Sequence, residues 1–263
     1  MSTVRVNGVD LHVQVLTPTG VADPPTAVLL HGLATDSMAS WYFTMAYPLV
    51  ERGFRVVLLD LRGHGRSERP ALGYALGDFV DDLDGLLDGP GPFLLLGNSF
   101  GGTVAFAYAA RHPGKVSGVV SIESSPPTPV WFARLTNRLS QLAEAVSRPR
   151  TLVAVGAKRG ARGTQRAQEA ARLLAETSVR EELPASRLPS RAQLQAITCP
   201  VLCLYGDRSH VVEMAPETQR LMPQAALRVF TGQKHSLLVD QPEDVRAAIT
   251  SWMRTARLGG HDA

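Results

Sequence analysis

Short apolar runs alternate along the chain with longer stretches whose apolar residues recur every three or four positions. The runs are rich in Val, Leu and Ile, and those after the first two are almost entirely apolar, which is typical of strands buried on both faces of a sheet. They predict eight strands, the first two joined at an Asn7-Gly8 hairpin turn, at residues 3–6, 9–16, 26–31, 55–60, 93–96, 116–122, 201–206 and 226–230. Helical spacing predicts helices near residues 40–52, 76–88, 103–112 and 242–257. This order predicts an α/β fold with a mostly parallel eight-stranded sheet and helices on both faces.

The alternation stops after the sixth strand, where only Ser, Pro and Thr residues stand at positions 124–129. No strand pattern returns before residue 196. Apolar residues instead recur at helical spacing around 131–146 and around 167–174, with a break at residues 147–150. We therefore predict a helical cap over residues 125–195, inserted into a core made of residues 1–124 and 196–263.

The composition fits a chain that builds one large core. Of the 263 residues, 44% are hydrophobic and 19% are charged, which is ordinary for a globular protein. No stretch reaches the roughly 20 apolar residues of a membrane span, and the first residues lack the pattern of a signal peptide. We expect a cytoplasmic protein, monomeric or homodimeric, that binds neither a membrane nor nucleic acid.

Positive charge is concentrated in the predicted cap. Residues 125–195 contain 12 Lys or Arg and 5 Asp or Glu, although the whole chain has a net charge of only +3. Because a positive surface attracts anions, one interpretation is a small-molecule substrate that is anionic or attached to an acidic carrier protein. The other interpretation is a solvated helical surface.

The segment that follows the fifth strand contains the first candidate for chemistry. Gly97-Asn98-Ser99-Phe100-Gly101 lies between a strand pattern and a helix pattern. A serine on so sharp a turn cannot bury its hydroxyl, and the glycines two positions away relieve backbone clashes. The N-terminus of the next helix supplies free N–H groups and a partial positive charge. Ser99 is therefore the predicted nucleophile.

A serine nucleophile needs a base, and the base needs an acid that orients it. His235 follows the eighth strand and lies in a loop before the last helix. Asp207 ends the seventh strand, at the edge where open α/β sheets place their sites. We predict His235 as the base and Asp207 as the acid, with Glu123 at the end of the sixth strand as the alternative acid.

The order Ser, Asp, His, together with a His31-Gly32 turn after the third strand, resembles the α/β-hydrolase family over roughly residues 3 to 257. In such a site two backbone N–H groups form the oxyanion hole. We expect these to be the N–H of Leu33, after the His-Gly turn, and the N–H of Phe100, after the nucleophile. Neither a metal nor a cofactor is expected.

Asn98 leaves two interpretations open. Gly-Asn-Ser-x-Gly-Gly is similar to the motif of family members that hydrolyse carbon–carbon bonds in meta-cleavage products, and other features resemble esterases and enol-lactonases. Alternatively, the side-chain amide of Asn98 holds the strained turn by a hydrogen bond.

The start of the predicted cap contains candidate substrate-binding residues. Trp131 and Phe132 suit an apolar or aromatic acyl group, and Arg134 suits a carboxylate or phosphate. We therefore predict a serine hydrolase that cleaves an ester, thioester or lactone through an acyl-enzyme. A carbon–carbon hydrolase or an acyl-transfer or other tailoring enzyme on the same triad is the first alternative. A ligand-binding receptor on the same fold is the second.

Overall fold

A single eight-stranded sheet lies at the centre of the computed structural model, which describes residues 2–87, 89 and 91–259. The strands are β1 (Ser2–Val6), β2 (Val9–Leu16), β3 (Thr26–Leu30), β4 (Arg55–Leu59), β5 (Phe93–Asn98), β6 (Val116–Ile122), β7 (Val201–Gly206) and β8 (Ala226–Phe230). Their order across the sheet is β1-β2-β4-β3-β5-β6-β7-β8. Strand β2 is antiparallel to β1 and β4, and the other neighbouring pairs are parallel. The predicted mostly parallel sheet is confirmed.

Each central strand is apolar throughout because its alternate residues enter two different cores. In β5, Leu95 belongs to a first core, whereas Leu94 and Leu96 belong to a second core on the other face. Strand β3 behaves in the same way, with Val28 in the first core and Leu29 in the second. Successive side chains of a strand point to opposite faces, so a sheet covered on both sides has no polar face.

Helices cover both faces of this sheet, as predicted. Before β7 they are α1 (Ala39–Trp41), a π-helical segment (Tyr42–Ala46), α2 (Tyr47–Val50), α3 (Leu76–Leu86), α4 (Phe100–Arg111), α5 (Pro129–Val146), α6 (Pro149–Glu176), α7 (Val179–Glu182) and α8 (Arg191–Gln195). After β7 they are α9 (Ala215–Leu221), α10 (Leu237–Asp240) and α11 (Pro242–Thr255). Phe79 of α3 and Val104 of α4 pack into the first core, and Ile249 of α11 packs into the second.

The chain between β6 and β7 is helical and packs on the first core. Helix α5 begins with Pro129, and the side chain of Thr128 accepts the N–H of Trp131, which caps the helix start. Helix α6 is interrupted at Gly160, whose φ of 68° is not helical. Leu139 of α5 and Leu173 of α6 are buried in the first core. Among the described residues, no helix has the length and hydropathy needed to cross a membrane.

Helix α4 starts so close to the sheet that positions 97 and 101, on either side of Ser99, have no room for a Cβ. A Cβ added at Gly101 would lie 2.2 Å from the carbonyl oxygen of Leu30, at the end of β3. A Cβ added at Gly97 would lie 2.3 Å from the backbone nitrogen of Gly102. Both distances are far shorter than any non-bonded contact, so the two glycines that flank Ser99 are required by the packing of β3, β5 and α4.

We expect Gly101→Ala to lower the free energy of unfolding by about 3 kcal/mol or more, because the new methyl group meets a backbone carbonyl that cannot move aside. The matched control is Gly77→Ala in α3, where the added Cβ would meet only the Arg111 side chain, at 3.8 Å. This control should raise the free energy of unfolding by about 0.5–1 kcal/mol. Chemical denaturation measures both variants, and equal effects would contradict the close contact at Gly101.

Candidate active site

Ser99 occupies the turn between β5 and α4 with φ 52° and ψ −122°. A non-glycine residue rarely adopts this conformation, which stores strain in the backbone. The N–H of Ser99 donates to the carbonyl oxygen of Ile122, at 2.8 Å, and this bond fixes the turn to the end of β6. The turn therefore presents Ser99 at the carboxyl edge of the parallel strands, as the sequence predicts.

His235 reaches Ser99 from the loop that follows β8. Its Nε2 lies 3.0 Å from Oγ of Ser99. The loop passes directly over the end of β7, because a Cβ at Gly206 would lie 2.3 Å from the carbonyl oxygen of Gln233. The N–H of Arg208 donates to the same carbonyl, at 2.9 Å. These contacts fix the backbone of the loop, so the half-exposed imidazole of His235 is held beside Ser99.

Glu123 faces the other nitrogen of the imidazole. It is the first residue after β6, has a φ of 52° and is fully buried. Its Oε2 lies 3.3 Å from Nδ1 of His235, without the alignment of a hydrogen bond. The carboxylate accepts the backbone N–H of Gly206 and the hydroxyl of Ser209. Two donors thus orient a buried carboxylate toward the ring.

Asp207, the predicted acid, is not brought to His235. It lies one residue beyond β7, is exposed, and its backbone N–H donates to the carbonyl oxygen of Phe230. Within the described chain its carboxylate forms neither a hydrogen bond nor an ion pair. The strand ends before Asp207, so its side chain extends into solvent, whereas the side chain of Ser209 turns inward to Glu123. The position expected for Asp207 is occupied by the alternative acid, Glu123.

The predicted oxyanion donors lie on the two segments that meet at Ser99. Phe100 is the first residue of α4, where backbone N–H groups lack intrahelical acceptors. Leu33 follows Gly32, and a Cβ at Gly32 would lie 3.3 Å from Cβ of Ser99. In the described residues, the N–H groups of Leu33 and Phe100 have no hydrogen-bond acceptor. Both N–H groups therefore remain candidates for the oxyanion hole.

The predicted substrate-binding residues have structural contacts of their own. Trp131 is only 2% exposed, and its Nε1–H donates to Oγ1 of Thr103, at 2.8 Å. Phe132 is buried in the same first core. Arg134 donates to Glu213, at 2.7 Å, near the surface. Trp131 thus attaches α5 to α4, and the contacts of these three side chains give no direct evidence for a substrate pocket.

His210 covers one side of the candidate base. Its ring centroid lies 5.0 Å from that of His235, with the ring planes tilted by 36°. Burial, and then the positive charges of Arg138, His235 and Arg134, lower the pKa of His210 to about 4. At neutral pH the His210 ring is therefore uncharged and places no positive charge beside the candidate base.

Sequence reasoning missed Ser209 and left Glu123 as the alternative. The available signal is that Glu123 directly follows an apolar strand and precedes a Ser- and Pro-rich run, where an acidic residue needs a buried partner. No group of three or more His, Cys, Asp or Glu side chains in the part of the chain that the structure describes is arranged to hold a metal ion.

Comparison with known proteins places this geometry in a family. A sequence model of the alpha/beta hydrolase fold matches residues 25–242. A monoacylglycerol lipase of Mycolicibacterium smegmatis is 31% identical over 96% of this chain and 95% of the lipase. A 2-(acetamidomethylene)succinate hydrolase of Mesorhizobium japonicum is 28% identical over 87% of this chain and 88% of that enzyme.

Solved structures show the same fold. A bacterial membrane phospholipase A has a TM-score of 0.81 and 25% identity, covering 97% of this chain and 86% of its own. A carboxylesterase structure from the ammonia-oxidizing Thaumarchaeon Nitrososphaera gargenis has a TM-score of 0.77 and 23% identity, covering 97% of this chain and 99% of its own. The chain therefore belongs to the α/β-hydrolase family and is an enzyme of that family.

Proposed function

We propose that the protein is a serine hydrolase in which Ser99 is the nucleophile, His235 the general base and Glu123 the acid that orients the base. The single observation that carries this proposal is that the imidazole of His235 lies between the hydroxyl of Ser99 and the carboxylate of Glu123. Nε2 of His235 lies 3.0 Å from Oγ of Ser99, and Nδ1 lies 3.3 Å from the buried carboxylate. This is the geometry of a nucleophile, a base and an orienting acid.

The reaction proceeds through an acyl-enzyme. Oγ of Ser99 attacks the carbonyl carbon while Nε2 of His235 takes the hydroxyl proton. The carbonyl oxygen becomes an oxyanion and accepts the N–H groups of Leu33 and Phe100. The imidazolium then donates its proton to the leaving oxygen or sulfur. Water then attacks the acyl carbon while His235 takes its proton, the bond to Oγ of Ser99 breaks, and the imidazolium returns the proton to Oγ as the acid is released.

Glu123 acts on the ring nitrogen remote from the serine. A carboxylate opposite Nδ1 favours the tautomer with hydrogen on Nδ1, which leaves Nε2 free to accept the proton of Ser99. The same carboxylate stabilises the imidazolium that forms during attack. The N–H of Gly206 and the hydroxyl of Ser209 hold it in place and compensate for its burial.

The substrate class that these features support is an ester, thioester or lactone of a small to medium apolar acyl group. The lipase and the carboxylesterase among the similar proteins favour an ester. The helices of residues 125–195 act as a cap over the site. The positive charge of this cap allows an anionic substrate to bind. The alternatives on the same triad are carbon–carbon hydrolysis, acyl transfer and ligand binding. Turnover of an ester substrate distinguishes ester hydrolysis from these alternatives.

We expect Ser99→Ala to abolish both ester turnover and labelling by a fluorophosphonate, since the label bonds to Oγ and expels fluoride. Intact-mass analysis of the wild type should show one adduct, and the Ser99→Ala variant should show none. A p-nitrophenyl ester series then measures turnover. Full activity in the folded Ser99→Ala variant would refute the assignment of the nucleophile.

Replacing the acid distinguishes Glu123 from Asp207. Glu123→Gln should lower kcat by about 10⁴-fold, because the amide no longer favours the productive tautomer or stabilises the imidazolium. The matched variant Asp207→Asn neutralises an exposed carboxylate, and its kcat should stay within about twofold of the wild type. Steady-state kinetics with a p-nitrophenyl ester measures both, and circular dichroism checks their folding. The reverse order of effects would identify Asp207 as the acid.

A further inference from the structure

Residues 32–36, which follow β3 and include the candidate oxyanion donor Leu33, are held by hydrogen bonds on both sides of Leu33. The N–H of Gly32 donates to Oδ2 of Asp36, at 2.9 Å. The N–H of Ala34 donates to Nε2 of His64, at 2.7 Å. The N–H of Thr35 donates to the carbonyl oxygen of Leu33, at 2.9 Å. The amides on both sides of Leu33 are therefore bound to side chains, whereas the Leu33 N–H has no acceptor among the described residues.

His64 is built as a hydrogen-bond acceptor. It is 3% exposed, and its Nδ1 lies 2.8 Å from the carbonyl oxygen of Arg62. Because a carbonyl only accepts, Nδ1 carries the hydrogen and Nε2 is left to accept the N–H of Ala34. Burial, and then the neighbouring His31, lower the pKa of His64 to about 3. The ring is therefore neutral wherever the enzyme is folded at ordinary pH, and the bond to Ala34 persists.

Asp36 connects the same segment to the nucleophile. Besides Gly32, its Oδ2 accepts the side-chain amide of Asn98, at 3.2 Å, and its Oδ1 accepts the N–H of Ser37, at 2.9 Å. Asn98 is the last residue of β5 and immediately precedes Ser99. Of the two interpretations of Asn98, this contact supports the one in which its amide holds the strained turn.

The backbone between these two contacts is strained. Ala34 has a φ of 68°, in the left-handed region that disfavours a residue with a Cβ. The bond to His64 holds the peptide group between Leu33 and Ala34 in this strained conformation. The Asp36 carboxylate holds the amide of Gly32, on the other side of Leu33. A conformation of this kind persists only where its surroundings enforce it.

We propose that Asp36 and His64 are positioning residues that fix the Leu33 N–H as an oxyanion donor, and that Asn98 aligns this segment with Ser99. The proposal rests on the proposed serine-hydrolase function. Neither Asp36 nor His64 contacts the substrate in this role. Their effect falls on kcat rather than on substrate binding, since an oxyanion forms only as the serine attacks.

The first test replaces Asp36 by Asn. The carboxylate accepts three N–H groups, and an amide must turn its own NH₂ toward one of them, so one contact is lost. We expect kcat for a p-nitrophenyl ester to fall about 10²-fold with KM within about threefold of the wild type. The matched control is Glu182→Gln, because the Glu182 carboxylate also accepts two backbone N–H groups, those of Gly73 and Tyr74, outside the site. Its kcat should equal that of the wild type.

A second test uses His64 and a tetrahedral inhibitor. Oγ of Ser99 adds to the boron of an arylboronic acid, its proton passes to His235, and one boronate oxygen occupies the oxyanion hole. His64→Ala should weaken inhibition by the same factor by which it lowers kcat. His64→Gln should restore part of both, because its side-chain oxygen can accept the Ala34 N–H. If His64 had a purely structural role, His64→Ala would lower the melting temperature. The inhibition constant of the boronic acid would then change by the same factor as KM and not by the same factor as kcat.

The outcomes separate this proposal from the one on which it rests. A wild type with no turnover and no fluorophosphonate adduct overturns both. An active wild type whose folded Asp36→Asn and His64→Ala variants keep kcat and boronate affinity within about threefold overturns the positioning role alone. If Asp36→Asn does not fold, His64→Gln and His64→Ala decide the proposal between them.

Discussion

The close approach of helix α4 to the ends of β3 and β5 is the constraint on which the rest of the site depends. It exists because positions 97 and 101 carry no Cβ, so the first turn of the helix rests on the carbonyl of Leu30. Ser99, between the two glycines, adopts a strained turn. The N-terminus of α4 lies against the segment after β3, because a Cβ at Gly101 would also meet the carbonyl oxygen of His31. The nucleophile and both candidate oxyanion donors are thereby brought together by backbone packing before any polar contact is considered.

Much of this arrangement is encoded locally and could be predicted from the sequence. A strand apolar at every position indicates burial on both faces, and Gly-x-Ser-x-Gly between a strand and a helix indicates the turn at Ser99. The parallel order of β3 to β8 then places their carboxyl ends along one edge, which is why His235, far away in the chain, lies beside Ser99.

The acid could not be chosen from the sequence because Glu123 and Asp207 each directly follow a central strand, β6 and β7, which are neighbours. What separates them is the direction of a side chain one residue past each strand. Glu123 turns inward with a φ of 52° and meets Ser209, whereas Asp207 stays exposed. Trp131 shows the same limit: the sequence suggests a side chain that contacts substrate, but its bond to Thr103 depends on how α5 meets α4.

The contact between His235 and Glu123 is looser than the hydrogen bonds that hold residues 32–36. Three contacts fix the backbone of residues 32–36, which include the proposed oxyanion donor Leu33, while Nδ1 and Oε2 lie 3.3 Å apart and are not aligned for hydrogen bonding. A rigid donor set suits charge that develops on the substrate, because it needs no reorganisation when the oxyanion forms. A looser pair suits the base, since the attraction between imidazolium and carboxylate appears only after proton transfer and then draws the two together. The long distance in the resting enzyme is therefore consistent with Glu123 as the orienting acid.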